Sequence, residues 1–441
     1  MQLSVRGRLG NYVRRGLASS TFKNTSWSAS SSVANGLLGA VSSAIFARVL
    51  GIQEFGILVL ILSLFNLVTD LSDMGLSSAI VRFGAETIER GDLSRFQRVV
   101  STVFRLKLIL GAIVIGLAAL FLNPIVSYVF HHVDERVAFY FLFSLFGAAI
   151  NIVAGTFPPI FQAFKDFRKM SLVGLSRQLA KVLCILLCLV IVPHWSVALG
   201  ISVEIISLLM FLGVSYQFSP VKRFSLQVHD KDITRQVMTF NKWISLHQIV
   251  TLLGGRVDVF FVGGLADANA LGLYGASSKI AGLVSMVSLA YFGVLLPEFS
   301  SSPSYETIRS KRRVSLMVVG IIAAGISVLV LVAGPLVTII FGEVFSGAIP
   351  LLQIMCIGLL FTVLSYPFSA SLFALDTPIV FPVASALSLG AFIAGNIILI
   401  PQMGVTGAAV AFAASGCVTF IVSILFFLFK GRTGGATSIP S

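Results

Sequence analysis

Long apolar segments, separated by short polar loops, follow one another along the chain from residue 26 to residue 429. Because backbone polar groups must be satisfied internally in a bilayer, spanning segments are helices or closed barrel strands. Barrel strands would be about 10 residues long and would alternate, whereas these segments are longer and do not alternate. A hydrocarbon core about 30 Å thick requires about 20 apolar residues per helix. The pattern predicts an all-α polytopic membrane protein with twelve transmembrane helices, at 26–48, 54–78, 99–122, 137–158, 170–193, 195–217, 238–264, 271–297, 313–341, 346–372, 378–401 and 404–429.

Composition and charge agree with this pattern and orient it. The chain is 56% apolar and only 11% charged, against about 25% charged residues in soluble domains. Most of its 31 Lys and Arg residues lie in the tails and in the loops that follow even-numbered spans. By the positive-inside rule, both termini are expected in the cytoplasm. The net charge of +13 is explained by these boundary residues, which form no single patch, so we expect no nucleic-acid partner.

The cysteines and the one histidine-rich loop provide no further candidate site. The four cysteines all fall inside predicted spans without ligand-type spacing, so neither disulfides nor a metal site is expected. The outward loop 123–136 contains His131, His132, Asp134 and Glu135, which we interpret as solvated surface. The chain contains no Gly-rich phosphate loop, so ATP hydrolysis and a bound cofactor are not expected. The basic N-terminal tail shows no cleavable signal.

The two halves of the sequence resemble each other. ARVLGIQEFGIL at 47–58 matches VGGLADANALGLY at 262–274, and this match aligns Gly56 with Gly272, about half a chain apart. Because each half holds an even number of helices, the two repeats are parallel, an arrangement found in transporters. The predicted organisation is a tail, two six-helix lobes joined by a linker, and a second tail, at 1–25, 26–217, 218–237, 238–429 and 430–441.

Four segments carry a family resemblance. They are ARVLGIQEFGIL, DLSDMGLSSAIVRFG at 70–84, DVFFVGGLADANALGLYGAS at 258–277 and NIILIPQMGVTGAAVAFAAS at 396–415. Together they resemble polysaccharide and O-antigen flippases of the multidrug/oligosaccharidyl-lipid/polysaccharide exporter superfamily. The resemblance implies two lobes in a V around a central cavity, working by alternating access coupled to an ion gradient. It also implies export of an undecaprenyl-diphosphate-linked oligosaccharide across the bacterial inner membrane, with a glycan polymerase and a chain-length regulator as possible partners.

Charged residues deep in the spans are the candidate site. A charge at the bilayer centre costs roughly 2.5–3.5 kcal/mol on insertion scales, so such residues indicate a hydrated cavity or a buried pair. A diphosphate binds Arg through two parallel hydrogen bonds and binds Lys as a point charge. With the resemblance, the candidates for substrate binding are Arg177, Lys181, Lys279 and Arg256. The alternative for Lys181 is a structural pair with Glu204, which lies at similar depth on the next helix.

Other polar positions are candidates for ion coupling or for contacts with sugars. The ion-coupling candidates are Glu204, Asp258 and Asp70, and the polar cavity residues are Asn35, Asn66 and His247. Asp73 and Lys242 lie near span ends, where side chains can reach the interface, and we expect them to do so.

Two other function classes remain open. A multidrug or small-cation exporter of the same superfamily is expected to have an acidic cavity, whereas the deep charges here are mostly basic. A membrane-embedded glycan polymerase or ligase is expected to have catalytic groups at the outward surface. The sequence does not identify the glycan, and it does not decide whether sodium, protons or no ion drives transport.

Overall fold

The computed structural model describes residues 20–130, 136–192, 194–221, 230–300, 305–375 and 379–433. These residues form fourteen helices of seven or more residues: α1 Ser20–Asp73, α2 Leu76–Glu89, α3 Leu93–Leu120, α4 Val137–Ala154, α5 Phe157–Ala163, α6 Phe167–Ile191, α7 Val197–Phe218, α8 Lys231–Leu265, α9 Ala268–Ser300, α10 Tyr305–Leu331, α11 Ala333–Phe341, α12 Ala348–Ala374, α13 Val380–Met403 and α14 Val405–Thr433. Ten segments of the described chain are long and apolar enough to span a membrane. One of these, Ser30–Asp73, contains the first two predicted spans, and α8, which is not among the ten, covers the seventh predicted span. The all-α fold with twelve predicted spans is therefore confirmed.

The connection between the first two spans differs from the prediction. Residues 49–53 were expected to form a loop, but α1 continues through them and departs from helical geometry only at Gly51, with φ 76° and ψ 178°. This backbone region is essentially restricted to glycine. A single residue therefore redirects the helix where the hydrophobic pattern indicated a loop.

The second span also ends earlier than predicted. Helix α1 stops at Asp73, a turn follows at Met74 and Gly75, and α2 begins as a separate helix at Leu76. Gly75 has a φ of 82°, and a Cβ at this position would overlap the side chain of Ile244. The predicted end at residue 78 was wrong, because only glycine satisfies both the backbone and the space at this turn.

Aspartate side chains cap the N-termini of two helices on the cytoplasmic side of the predicted topology. Asp92 accepts a hydrogen bond from the backbone N–H of Arg95 at 2.8 Å and another from the Ser94 hydroxyl at 2.6 Å. The hydrogen bond from Ser94 and then that from Arg95 hold the pKa of Asp92 below its usual value. Asp166 caps α6 in the same way, accepting from the backbone N–H of Lys169. These caps satisfy N–H groups that a helix start leaves without partners.

Contacts divide the chain into two compact units. Unit 1 consists of Met1–Ser42, Ile61–Asn123 and Ala138–Leu253, and unit 2 of Ser43–Leu60, Pro124–Val137 and Gly254–Ser441. The predicted lobes follow the internal repeat, not these boundaries, and they stay a prediction.

Each unit has its own packing. In unit 1, α2, α3 and α5 share an apolar core that includes Ile80, Phe96 and Phe161. In unit 2, α12 and α14 approach so closely that a Cβ on Gly358 would lie 2.7 Å from the Ala413 Cα. Small residues at helix contacts are typical of membrane bundles, where close packing replaces the hydrophobic effect between helices.

Candidate functional site

Three charged side chains of the described membrane spans meet between α6 and α7 in unit 1. The Arg177 Nη2 atom is 2.7 Å from Glu204 Oε1, and the Lys181 Nζ atom is 2.6 Å from Glu204 Oε2. The exposed fractions of the three side chains are 26%, 14% and 11% respectively. One carboxylate therefore holds two cations, and we call these three residues the charged trio.

The charged trio carries two positive charges and one negative charge. Burying ions costs several kcal/mol each, and their attraction offsets this cost only with good geometry. A simple structural pair would need only one cation. The second cation leaves a local excess of positive charge, which attracts an anion. The predicted pairing of Lys181 with Glu204 is present, but Arg177 joins it.

Helix α6 presents further polar groups on the face that bears the trio. Arg177 and Gln178 each lie three or four residues from both Gly174 and Lys181, so the four positions lie along one broad stripe of the helix. A Cβ at position 174 would lie 3.5 Å from the Asn35 Nδ2 atom of α1. The predicted polar residue Asn35 is thus adjacent to the stripe, one turn before Arg177.

The candidates in unit 2 form a different arrangement. Asp258 on α8 accepts a hydrogen bond of 2.7 Å from the hydroxyl of Tyr274 on α9, whose side chain is fully buried. Arg256 is partly buried and Lys279 is exposed. The sequence reasoning missed Tyr274, because no pattern in α9 distinguishes this tyrosine from a core aromatic residue.

Three other candidates have simpler surroundings. Asn66 donates to the Leu62 carbonyl of its own helix at 2.6 Å. Asp70 lines a cavity of about 180 Å³ in unit 1, together with Asp73, Lys107 and Asn151. The His247 side chain lies outside the described residues, as does the cluster between His131 and Glu135. No metal-binding group of three His, Cys, Asp or Glu residues occurs in the described parts of the chain.

An ion pair that lines the same cavity contains a buried lysine. The Lys107 side chain is only 3% exposed, and its Nζ lies 2.5 Å from Asp73 Oδ1. It also donates to the Ser77 hydroxyl at 2.7 Å and to the Gly155 carbonyl at 3.4 Å. Asp73 was expected to reach the interface, and its carboxylate, whose side chain is 28% exposed, pairs with Lys107. Lys107 is buried because α3 directs it inwards on the face of its buried neighbours Val103 and Gly111.

Removing the lysine of this pair should destabilise unit 1. Lys107→Met leaves the Asp73 carboxylate without its ammonium partner, and breaking a buried pair costs about 3–5 kcal/mol. We expect a clearly lower unfolding midpoint for the purified protein and less protein in the membrane. Adding Asp73→Asn should restore most of the loss.

The control is a surface pair in the same unit. Lys165 and Glu89 lie 2.8 Å apart but are 66% and 67% exposed, so Lys165→Met should change the midpoint little. Equal midpoints for Lys107→Met and Lys165→Met would contradict a stabilising role for the buried pair.

This bundle, with buried charges in its membrane helices, has the fold of a secondary transporter. It matches the inward-facing structure of a multidrug resistance MATE family transporter of the MOP superfamily, with a TM-score of 0.71 and 15% identity over 92% of this chain and 96% of that one. It also matches the inward closed conformation of the lipid II flippase MurJ, with a TM-score of 0.69 and 16% identity over 91% and 87%. The transporter fold expected from the sequence resemblance is therefore confirmed.

The family follows from the sequence comparison. Residues 21–302 match the model of the polysaccharide biosynthesis protein family, and the chain belongs to this family. It is 26% identical to the lipopolysaccharide biosynthesis protein WzxC of Escherichia coli K12, over 78% of this chain and 68% of that protein. It is 24% identical to an uncharacterized membrane protein in the cps region of Klebsiella pneumoniae, over 92% and 82%.

Proposed function

We propose that this protein is a flippase that moves an undecaprenyl-diphosphate-linked oligosaccharide across the bacterial inner membrane for surface polysaccharide synthesis. Membership of the polysaccharide biosynthesis protein family supports the biological role. The observation that carries the proposal is the charged trio, where two partly buried cations share one buried carboxylate. An excess of positive charge inside the membrane fits a lipid whose headgroup is a diphosphate.

The chemistry of the trio suggests a division of roles. Arginine has five N–H donors in a planar fork, and Arg177 uses one of them on Glu204, so the others are available for two phosphate oxygens. Lys181 adds a point charge. Glu204 positions both cations by holding them on its two oxygens. The prediction from the sequence that Arg256 and Lys279 bind the anionic headgroup stays a prediction.

Ion coupling is better assigned to Asp258 than to Glu204. Both Glu204 oxygens already face resident cations, which disfavours binding of sodium or a proton there. Asp258 has a neutral hydroxyl partner instead, and we propose it as the coupling carboxylate, with Asp70 as the second candidate.

The two alternatives fit the site less well. A multidrug exporter that takes organic cations is disfavoured by the net positive charge of the trio, although the MATE transporter shares the fold. A glycan polymerase or ligase needs a nucleophile or general base at an accessible surface, and the trio offers a carboxylate held by two cations. We therefore propose a transporter and not an enzyme.

A genetic experiment separates these functions. Deleting the gene should remove a surface polysaccharide and leave lipid-linked repeat units in the cytoplasmic leaflet, as measured by extraction of lipid-linked glycans and by glycan staining. The control is complementation with the wild-type gene. Normal surface glycan together with altered drug resistance would favour the exporter instead. Accumulation of single repeat units at the outer leaflet would favour a polymerase.

The proposed orientation, with both termini in the cytoplasm, has its own test. In a variant without the four native cysteines, single cysteines at the exposed positions Ser94 and Ser310 should resist an impermeant thiol reagent in intact cells, while one at Asn269 should react. All three should react after the membrane is permeabilised. Labelling of position 310 in intact cells would overturn this orientation.

A further inference from the structure

Two buried amide oxygens next to the charged trio have no hydrogen-bond donor. Asn35 Oδ1 on α1 and Gln178 Oε1 on α6 are both inaccessible to solvent, and neither accepts a hydrogen bond from any residue in the described part of the chain. Nearly all buried polar groups in folded proteins are paired, because an unpaired one loses its hydration without compensation. Two unpaired acceptors close to one site therefore indicate that a bound ligand supplies the hydrogen-bond donors.

Both acceptors lie next to the proposed anion site. Gln178 follows Arg177 in sequence and lies one turn before Lys181 on the same stripe of α6. Asn35 lies against Gly174, where a Cβ would be in van der Waals contact with its Nδ2 atom at 3.5 Å. The stripe from Gly174 to Lys181 is about 10 Å long at 1.5 Å per residue. Cations and acceptors thus occupy one short surface.

The orientation of Asn35 is set by a second contact. Its Nδ2 atom donates to the hydroxyl of Ser31 at 3.3 Å, one turn earlier on α1, and Ser31 is itself buried. Nearby, the hydroxyl of Ser171 on α6 donates to the Trp27 carbonyl of α1 at 3.2 Å. The bond from Ser171 holds α1 against α6, and the bond to Ser31 fixes the Asn35 amide so that its oxygen has no donor among the described residues.

We propose that Asn35 and Gln178 form an acceptor subsite for hydroxyl or amide N–H groups of the sugar attached to the diphosphate. This inference rests on the proposed function. An ionised diphosphate offers acceptors only, so it satisfies Arg177 and Lys181 but not the two amide oxygens. A sugar bonded directly to the phosphate brings donors within a few ångströms of the anion. The subsite therefore distinguishes a glycosylated lipid diphosphate from the bare lipid diphosphate.

Binding to the full chain in lipid nanodiscs tests the subsite. The probes are undecaprenyl diphosphate and undecaprenyl diphosphate bearing one N-acetylhexosamine. Wild-type protein should bind the glycosylated probe about tenfold more tightly, the factor expected for one to two hydrogen bonds. Gln178→Met and Asn35→Leu should each reduce this preference severalfold and leave the affinity for the bare probe unchanged.

Controls separate this result from a folding defect and from failure of the proposed function. Gln162→Met makes the same exchange at an exposed amide of unit 1 and should retain the full preference. Unchanged preference in both subsite variants would overturn the subsite while the anion site stands. An equal loss of both probes would assign Asn35 and Gln178 a structural role and also overturn it. No binding of either probe to wild-type protein would overturn the proposed function itself.

Discussion

Glu204→Gln should cause a large loss of folded protein, because it removes the only carboxylate of the charged trio. Arg177 and Lys181 would then be two neighbouring cations with a neutral partner, where each now lies within 2.7 Å of a carboxylate oxygen. Breaking a buried ion pair costs about 3–5 kcal/mol. The measurement is the amount of protein in the membrane together with the unfolding midpoint in detergent. The matched control is Glu86→Gln, whose side chain is 51% exposed beside Arg90, and it should change little.

Lys181→Met gives the complementary result and separates stability from transport. It leaves the Arg177–Glu204 pair balanced, so the protein should remain folded and inserted. The excess positive charge is lost, and export of glycan should fall severely. Lys181→Arg should retain part of the activity, since the charge remains. Full export by a folded Lys181→Met variant would contradict a substrate role for Lys181 and leave it as a structural partner of Glu204.

Gly56→Ala and Gly272→Ala should have the second large effect, within unit 2. A Cβ on Gly56 would overlap the Ala268 carbonyl oxygen and lie 2.7 Å from the Gly272 nitrogen, and a Cβ on Gly272 would overlap the Ile52 carbonyl oxygen. Because backbone atoms cannot rotate away as a side chain can, α1 and α9 must separate. Overpacking of this kind typically costs about 1–3 kcal/mol. The unfolding midpoint and glycan export should fall together.

The control for these glycines lies in α3. A Cβ on Gly116 would meet no atom within 4 Å, so Gly116→Ala adds helix propensity without a clash and should be neutral or slightly stabilising. Wild-type stability and export in Gly56→Ala would show that the two helices can separate without cost, which would contradict the interpretation of this contact.

Particular residues show which contacts and site residues could be predicted from the sequence. The internal repeat aligned Gly56 with Gly272 before any contact was known, and the structure places these two glycines against each other. Arg177, Lys181 and Glu204 were identified by depth in the membrane, and they lie together. Gln178 was missed, although its place on the stripe of Arg177 and Lys181 was a usable signal. Lys107 was missed because a lysine near a span end reads as an interfacial residue.

The sequence alone determined the solvent, the helical class, the number of spans and the family, because these depend on the length and polarity of continuous segments. In lipid, every apolar segment of about 20 residues must satisfy its own backbone, and that requirement is local. Only the tertiary structure decided that two cations share Glu204, that Lys107 is buried with Asp73, and that Asn35 lies against Gly174. An ion pair requires atoms from distant segments within about 4 Å. Such distances depend on the rotation of each helix about its axis and on the neighbour against which it packs. Small residues at helix contacts and single-residue breaks such as Gly51 determine this rotation and this choice of neighbour.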